Sequence, residues 1–192
     1  MPSLPPCNSI FLLTISFLIM ATSVDPLIIG RVIGDVVDMF VPSVNMSVYF
    51  GTKHVTNGCH IKPSMAVDPP RITLTGNIDN LYTLVMTDPD APSPSEPIHR
   101  ELIHWIVTNI PGGTNPNQGN EILPYGGPRP PLGIHRYILV LFEQKGPLDL
   151  VEQPPSRASF NTRYFARQLN LGLPVATVYF NSQKEPAYRR RT

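Results

Sequence analysis

The sequence predicts a single mixed domain that is mainly β, with antiparallel strands at its centre and helices at its periphery. Its 192 residues include 23 prolines and 13 glycines, which indicate many turns and extended loops rather than a helical bundle. Apolar β-prone runs lie between these turns, whereas helical spacing of apolar residues occurs in two short segments. The length suits one domain with an adequate core.

The predicted domain covers residues 21–192, and residues 1–20 are interpreted as an N-terminal apolar extension without an assigned function. The apolar run 10–20 has the length of a signal-peptide core and is too short to span a membrane. No Lys or Arg precedes this run, and Met20 offers an alternative to Met1 as the start of translation. The protein would be secreted only if residues 1–20 act as a signal peptide.

The first part of the domain is predicted to hold one helix and two strands. Asp25 is followed by a proline at a first helical position, and apolar residues then recur at three- and four-residue steps. This spacing predicts one amphipathic helix that ends before Pro42. Strands are predicted over 45–50 and 71–75, with turns at 56–58 and 76–77.

Three apolar runs predict the central strands, and they cover residues 81–87, 104–110 and 135–142. The first run shows no clean alternation, which is typical of a strand that is covered on both faces. A loop is predicted over 143–159. After it come a helix over 160–169 with Gly172 as its C-terminal stop, and a last strand over 175–180.

Polar side chains lie at the ends of the three central strands. Asp88 directly follows the first run, and His104 and His135 begin the other two. If the first two strands are antiparallel and joined by a proline-rich loop, their polar ends meet. The return segment 111–134 is long enough to bring the third strand to the same edge.

The loop over 88–97 completes this constellation. It contains four prolines, whose fixed φ angles make it rigid, and it carries Asp90 two residues after the strand end. On the third strand Tyr137 faces the same side as the histidine, while Arg136 faces the other side. The sequence therefore predicts one small pocket lined by Asp88, Asp90, His104, His135 and Tyr137.

These residue types are compatible with two kinds of site. Two carboxylates and two imidazoles could bind a divalent metal and support a hydrolase. The tight ligand spacing of a His-Glu-Xaa-Xaa-His motif is missing, so we assign no metal and no cofactor. The alternative is a pocket for a small anion. Its affinity should rise as the pH falls toward the histidine range, because carboxylates repel an anion unless the histidines are charged.

Other polar residues near the constellation are given structural roles. Ser93 and Ser95 lie in a proline-rich turn, and no oxyanion-hole motif accompanies them, so a nucleophilic triad is not predicted. Arg100 and Glu101 are interpreted as a structural ion pair or as solvated charges. Trp105 is interpreted as a core or pocket-wall aromatic residue.

The amino-acid composition argues against some classes of function. The formal net charge of +1 gives no broad positive field, so direct binding of nucleic acid is not predicted. Arg189, Arg190 and Arg191 are read as a solvated basic tail. Cys7 and Cys59 are the two cysteines, which is too few for a disulfide framework and favours a reducing compartment.

Several separated motifs carry a family resemblance. They are Asp-Pro-Asp-Ala-Pro at 88–92, Arg-Glu at 100–101 with His-Trp at 104–105, and Gly-Ile-His-Arg-Tyr at 133–137. In this order, and over roughly residues 23–186, they resemble the phosphatidylethanolamine-binding protein family. Asn-Thr-Arg at 161–163 and the segment 170–175 are similar to the plant branch that contains florigen and terminal flower. Residues 20–27 and 184–187 are most similar to its Mother of FT and TFL subgroup.

This resemblance implies a large central antiparallel sheet with a smaller flanking sheet and peripheral helices. It implies a non-enzymatic, monomeric regulator of the cytoplasm and nucleus, acting in flowering or in seed germination and abscisic-acid signalling. It also places the family's pocket for a phosphate-like anion or phospholipid headgroup on the five residues named above.

Two positions depart from the florigen and terminal flower patterns. Leu102 stands where those types carry Tyr or His and the Mother of FT and TFL subgroup usually carries Trp. Ala158 stands where the two types carry Gln or Asp. Neither a promoting nor a repressing role in flowering can therefore be transferred through these positions.

The resemblance also implies partners, namely 14-3-3 adaptors and, through them, bZIP transcription factors. The matching partner surface includes Arg71 and Pro111. However, Pro147 replaces an arginine of the family in the loop after the third central strand, which removes a charge-assisted contact to phosphate. We therefore expect weak or absent 14-3-3 affinity.

Two alternatives come from other functional classes. One is a metal-dependent hydrolase that uses the same Asp and His residues. The other is a secreted lipid-binding or protease-inhibiting relative, which depends on residues 1–20 acting as a signal.

Overall fold

The computed structural model of the protein describes residues 25–186. The predicted apolar extension and the basic arginine tail lie outside these residues. The strands are β1 (Met46–Phe50), β2 (Lys53–His54), β3 (Cys59–His60), β4 (Arg71–Leu74), β5 (Leu81–Asp88), β6 (Leu102–Pro111), β7 (Asn120–Leu123), β8 (Ile134–Glu143) and β9 (Ala176–Gln183). The helices are α1 (Pro26–Ile29), α2 (Val32–Asp35) and α3 (Thr162–Gln168), with 3-10 turns at Pro63–Met65 and Pro116–Gln118.

The strands form two sheets, as the predicted fold class requires. The large sheet has six strands in the order β3-β9-β8-β5-β6-β7, and the small sheet has the order β2-β1-β4. β5 pairs antiparallel with β6 on one side and with β8 on the other. The three predicted central strands are therefore neighbours, and the strand that ends at Asp88 lies between the two that carry the histidines.

The large sheet is covered on both faces. One face packs against the small sheet around Leu84, Tyr137 and Phe180. The other packs against α3 and the segment 27–40 through Val85, Ile138 and Val140. This two-sided burial explains why the sequence of β5 lacks an alternating pattern.

The single helix predicted from Asp25 to Pro42 is wrong. The segment forms the two short turns α1 and α2, separated at Arg31, which has a left-handed φ of 54°, and interrupted again at Gly34, whose φ is 104°. Its apolar residues still pack onto the sheet, so their spacing misled the prediction. A Cβ on Gly30 would lie 2.3 Å from the Tyr179 hydroxyl, which shows how closely the broken segment approaches β9.

Most other predicted elements are confirmed with shifted ends. β6 begins two residues before His104, and β9 continues to Gln183. α3 is capped by the Asn161 side chain and ends before the left-handed Asn170, so Gly172 is not its stop. No strand is predicted at β2, β3 or β7. β2 and β3 have two residues each, which is too few for a periodic signal. Within 25–186, no helix has the length and apolar character needed to cross a bilayer.

Candidate functional site

The predicted constellation lies at the edge of the large sheet where β5 ends, on the face toward the small sheet. A β-bulge places its first histidine. Met86 pairs with Trp105 and Thr87 pairs with Ile103, so His104 is an extra residue on β6 without a partner on β5. Such bulges redirect a side chain, and here the His104 ring lies edge-on to Tyr137, with ring centroids 5.1 Å apart.

The second histidine forms a buried pair with Asp88. Nδ1 of His135 lies 2.7 Å from Oδ2 of Asp88, and its Nε2 lies 3.0 Å from the carbonyl oxygen of Leu132. The His135 residue is 1% exposed. Because both ring nitrogens face acceptors, both donate hydrogen bonds only when the ring is protonated.

The electrostatics of His135 agree with this arrangement. Burial by itself would lower the pKa of His135, but the hydrogen bond and negative charge of Asp88 outweigh it and raise the pKa above its ordinary value. The Leu132 carbonyl and the charge of Asp90 act in the same direction. The pair is therefore an imidazolium and a carboxylate with no net charge.

His104 differs from His135 in its charge state. Its Nδ1 lies 2.6 Å from the carbonyl oxygen of Gly126 and must donate to it. Its Nε2 is buried and has no hydrogen-bond partner. Burial lowers the pKa of His104 despite the Gly126 carbonyl and the charge of Asp88. The ring is therefore neutral, and Nε2 presents a bare lone pair.

Tyr137 lies between the two histidines and the core. Its ring stacks on Phe180 with centroids 5.3 Å apart, and it is nearly parallel to His135 at 6.4 Å. Burial raises the pKa of the Tyr137 hydroxyl, and the charge of Asp88 raises it further. The hydroxyl therefore stays protonated.

One loop, residues 124–132, covers this cluster. The carbonyl of Gly126 contacts His104, and the carbonyl of Leu132 contacts His135. A hydrogen bond between the main chain of Arg129 and the Tyr137 hydroxyl acts to lower the pKa of that hydroxyl. The same loop lines a surface cavity of about 290 Å³ together with Lys184 and Glu185.

Asp90 is the predicted pocket residue that the structure places elsewhere. Its carboxylate forms a bidentate pair with Arg136, at 2.9 Å to Nε and 2.7 Å to the terminal nitrogen. The prediction that Arg136 faces away from Tyr137 is confirmed, and Asp90 follows it to the helix-covered face. Only the main-chain N–H of Asp90 reaches the cluster, where it donates to Oδ1 of Asp88 at 2.7 Å.

The interpretation of Arg100 and Glu101 as an ion pair or as solvated charges is corrected. Arg100 pairs with Asp35 at 2.9 Å. Glu101 is 5% exposed and accepts hydrogen bonds from the hydroxyls of Thr162 and Thr87. Burial raises the pKa of Glu101 in spite of these bonds. Sequence reasoning missed this buried carboxylate because its partners are distant in the chain.

The loop before α3 pairs with the start of β6. The loop residues Arg157 and Phe160 pair with the start of β6. The Ile103 N–H donates to the Arg157 carbonyl at 2.8 Å, and Glu101 and Phe160 exchange both main-chain bonds. Leu102 and Ala158 lie within this pairing.

The predicted partner surface lies away from the cluster. Pro111 ends β6 beside Leu81, at the opposite end of β5 from Asp88, and the loop with Pro147 starts at that end too. Arg71 stacks over the Tyr49 ring at 4.6 Å and lines a cavity of about 510 Å³ with residues 115–117. Arg71 and Pro111 are thus separate from the His and Asp residues.

The arrangement does not match a nucleophilic triad or a metal site. The hydroxyl oxygens of Ser93 and Ser95 lie 2.9 Å from each other, as expected for turn residues. Among residues 25–186, no group of three or more His, Cys, Asp or Glu side chains is placed to hold a metal ion. What the cluster offers chemically is a charged pair, a neutral imidazole and a phenol, all of them buried.

Comparison with known proteins places this fold and site in context. The chain is 58% identical over 174 residues to Protein MOTHER of FT and TFL1 homolog 2 of Oryza sativa subsp. japonica, covering 90% of this chain and 100% of that protein. It is 49% identical over 169 residues to Protein TERMINAL FLOWER 1 of Arabidopsis thaliana, covering 88% and 96%.

A solved structure agrees with the fold. The phosphatidylethanolamine-binding protein from Plasmodium vivax superposes with a TM-score of 0.73 at 22% identity, covering 83% of this chain and 96% of that one. The family model named "Phosphatidylethanolamine-binding protein" matches residues 49–180, which contain all five predicted pocket residues. The chain therefore belongs to the phosphatidylethanolamine-binding protein family.

Proposed function

We propose that this protein is a non-enzymatic signalling regulator of plant development that acts through protein partners. Its relationship to the plant FT and TFL1 group supports a role in flowering or in seed germination linked to abscisic acid. The similarity to the Mother of FT and TFL subgroup favours the seed pathway. The cytoplasm and nucleus are the proposed compartments, in keeping with Cys59, which forms no disulfide within residues 25–186.

The proposed pocket for a phosphate-like anion or phospholipid headgroup is the cluster of Asp88, His104, His135 and Tyr137. The observation that carries this proposal is the pair of buried histidines beneath one loop, of which His135 contacts the Asp88 carboxylate and His104 contacts a main-chain carbonyl. The His135 imidazolium supplies a positive charge that Asp88 balances, and the buried Nε2 of His104 has no hydrogen-bond partner among residues 25–186. Asp90 contributes through its main chain, since its carboxylate is bound to Arg136.

The proposed partners are bZIP transcription factors, reached with little or no help from 14-3-3 adaptors. Arg71 is exposed and Pro111 is half-buried, so both can take part in the proposed partner surface, whereas the exposed Pro147 has no charge to offer a phosphate. Purified full-length protein should therefore bind a 14-3-3 protein weakly or not at all in a titration. A complex of micromolar or tighter affinity would contradict this proposal, and Pro147→Arg should strengthen binding if the proline is the cause.

The test of the main proposal is a pull-down from maturing seed extract with the full chain. Wild type should recover a bZIP factor. The variant His135→Gln can keep a hydrogen bond to Asp88, and it should recover less of that factor if the pocket controls partner binding. His60→Ala changes an exposed histidine and serves as the control. Recovery of no regulatory protein, together with bound metal and turnover of a substrate, would replace the regulator by the hydrolase alternative.

A further inference from the structure

A further cavity lies on the helix-covered face of the large sheet, opposite the face that carries the His and Asp cluster. Its volume is about 250 Å³. Four buried apolar side chains form its floor, and they come from the segment 27–40, from β8 and from α3. They are Val36, Val37, Phe142 and Ala166. Among residues 25–186, no side chain fills the space above this apolar floor.

The cavity is open to solvent on the side of residues 172–174. A Cβ on Gly172 would meet no atom within 4 Å, and Leu173 is 56% exposed. Both residues line the cavity, so a molecule in solution can reach the floor past them. Pockets for drug-sized ligands measure roughly 300–1,000 Å³. The ligand that fits this cavity is therefore small.

Three charged side chains line the cavity, and their charges do not cancel. Arg163 and Arg167 lie four residues apart on one face of α3, and Asp38 lies opposite them. Arg163 is already engaged, since it donates to the Asp38 carboxylate at 2.8 Å and to three main-chain carbonyls. Arg167 is exposed and forms no ion pair within residues 25–186. With two arginines and one aspartate, the lining carries a net charge of +1.

We propose that this cavity binds a small monocarboxylic acid with a compact apolar body, and that the carboxylate of this ligand pairs with Arg167. The planar fork of a guanidinium group matches the two oxygens of a carboxylate. One unpaired arginine balances one negative charge, whereas a phosphate dianion would leave a second charge unbalanced near Asp38. The apolar body of the ligand covers the buried floor and removes it from water. This site goes beyond the proposed function, because it lies on another face and recognises another chemical group.

Two matched probes test this inference. 4-Phenylbutyrate and 4-phenylbutyramide share one apolar body, but only the first is charged. In an NMR titration of the full-length protein, we expect the acid to bind with a Kd on the order of 100 μM. The amide should bind about tenfold more weakly, because it lacks the charge-assisted bond to Arg167. The main-chain signals of Gly172 and Leu173 should shift, and those of His104 and His135 should not.

Variants separate the charge from the apolar floor. Arg167→Gln should weaken binding of the acid to the level of the amide and leave binding of the amide unchanged. Arg129→Gln is the control, since it removes an exposed arginine that does not line this cavity. Ala166→Leu places a larger side chain at the floor and should weaken binding of both probes. If that variant does not fold, the exposed Arg167→Gln decides.

Equal binding of the acid and the amide would overturn the assignment of a carboxylate. Signal shifts at His104 and His135 in place of Gly172 and Leu173 would overturn the assignment of this cavity, because the acid would then occupy the His and Asp cluster. Binding of neither probe would overturn the inference as a whole. None of these results would change the proposed regulator function, which rests on the partner pull-down.

Discussion

Two histidines of one buried cluster differ in charge because their hydrogen-bond partners differ. His135 has an acceptor at each nitrogen, and one of them is a carboxylate. His104 has a single acceptor and no compensating charge in direct contact. The same side chain thus serves as a buried cation at one position and as a neutral acceptor at the other, and the chemistry of the cluster follows from that difference.

The pairing of His135 with Asp88 makes stability depend on pH. Because the pKa of His135 is raised in the folded state, its stabilising effect is complete below the unfolded value of about 6.5 and is lost as the pH rises through the folded pKa. The lowered pKa of His104 acts in the opposite sense, and its effect lies below about 6.5. Measurements from that pH upward therefore isolate His135.

Asp88→Asn should remove this dependence. We expect a loss of about 3 kcal/mol in the free energy of unfolding at pH 6.5, because a buried charge loses its partner. The loss should be smaller at pH 8.5, where the wild type has given up part of the pair's contribution. Urea unfolding at both pH values measures this, with the exposed Asp149→Asn as the control. An equal loss at both pH values would show that the histidine is not charged.

Strand-end reasoning predicted most of the site, and its failures have physical causes. Asp88, His104, His135 and Tyr137 come together because antiparallel neighbours share an edge, and this follows from the sequence alone. The bulge at His104 and the pairing of Asp90 with Arg136 do not. The bulge depends on the register between two strands, and the Asp90 pairing depends on the face of the sheet to which a side chain points after a turn. The local spacing of residues encodes neither of these.

At the level of secondary-structure elements, two arginines from other parts of the chain hold the N-terminal segment in its observed conformation. Arg163 on α3 donates to the Asp38 carboxylate at 2.8 Å and to three main-chain carbonyls, those of Gly34, Asp35 and Val37. Arg136 on β8 donates to the Gly30 carbonyl at 2.8 Å. These contacts replace the main-chain bonds of a continuous helix, which explains why helical spacing failed as a predictor here.

Arg163→Gln should release this segment. The shorter side chain cannot reach all four acceptors, so we expect a loss of about 2 kcal/mol in unfolding free energy. Faster amide hydrogen exchange should be confined largely to residues 32–38. Arg167→Gln is the matched control, because Arg167 lies on the same helix but is exposed. If both variants lose the same stability, the carbonyl contacts of Arg163 do not hold the segment.

The loop after β8 is fixed at its start by an amide pair. Gln144 accepts from the Asn109 N–H at 2.8 Å and donates to the Asn109 side chain at 2.7 Å. Asn109 in turn bonds both main-chain groups of Leu148 at 2.9 Å. The chain direction at Pro147, on the proposed partner surface, therefore depends on the buried amide of Gln144 and the half-buried amide of Asn109.

Gln144→Leu should loosen that loop without opening the His and Asp cluster at the other end of β5. The change leaves the Asn109 N–H and the Thr83 hydroxyl without their acceptor, and we expect a cost of about 2 kcal/mol. The Leu148 amide should exchange faster, whereas the exposed Gln153→Leu should leave it unchanged. Unaltered exchange at Leu148 would mean that the amide pair does not position the loop.

At the scale of the whole molecule, the length of the edge strands affects whether two copies of the chain can pair. In the part of the chain that the structure describes, the large sheet ends in β3 and β7, which have two and four residues. Both of its faces are covered by the small sheet and by the helices. Short edge strands offer few main-chain groups for pairing with a second copy.

We therefore predict a monomer. Sedimentation of the full-length protein at high micromolar concentration should give the mass of one chain, and dilution should not change it. A dimer that dissociates on dilution would contradict this prediction.

The covering loop has a further consequence for the molecule as a whole. The protein has one tryptophan, Trp105, adjacent to His104 at the bulge. Its indole N–H donates to Glu121 at 2.8 Å, and its ring meets Tyr125 of the covering loop edge-on, with centroids 5.6 Å apart. Any shift of that loop when the cluster is occupied changes the surroundings of this single fluorophore, so the emission of the unlabelled protein reports optically on the state of its own pocket.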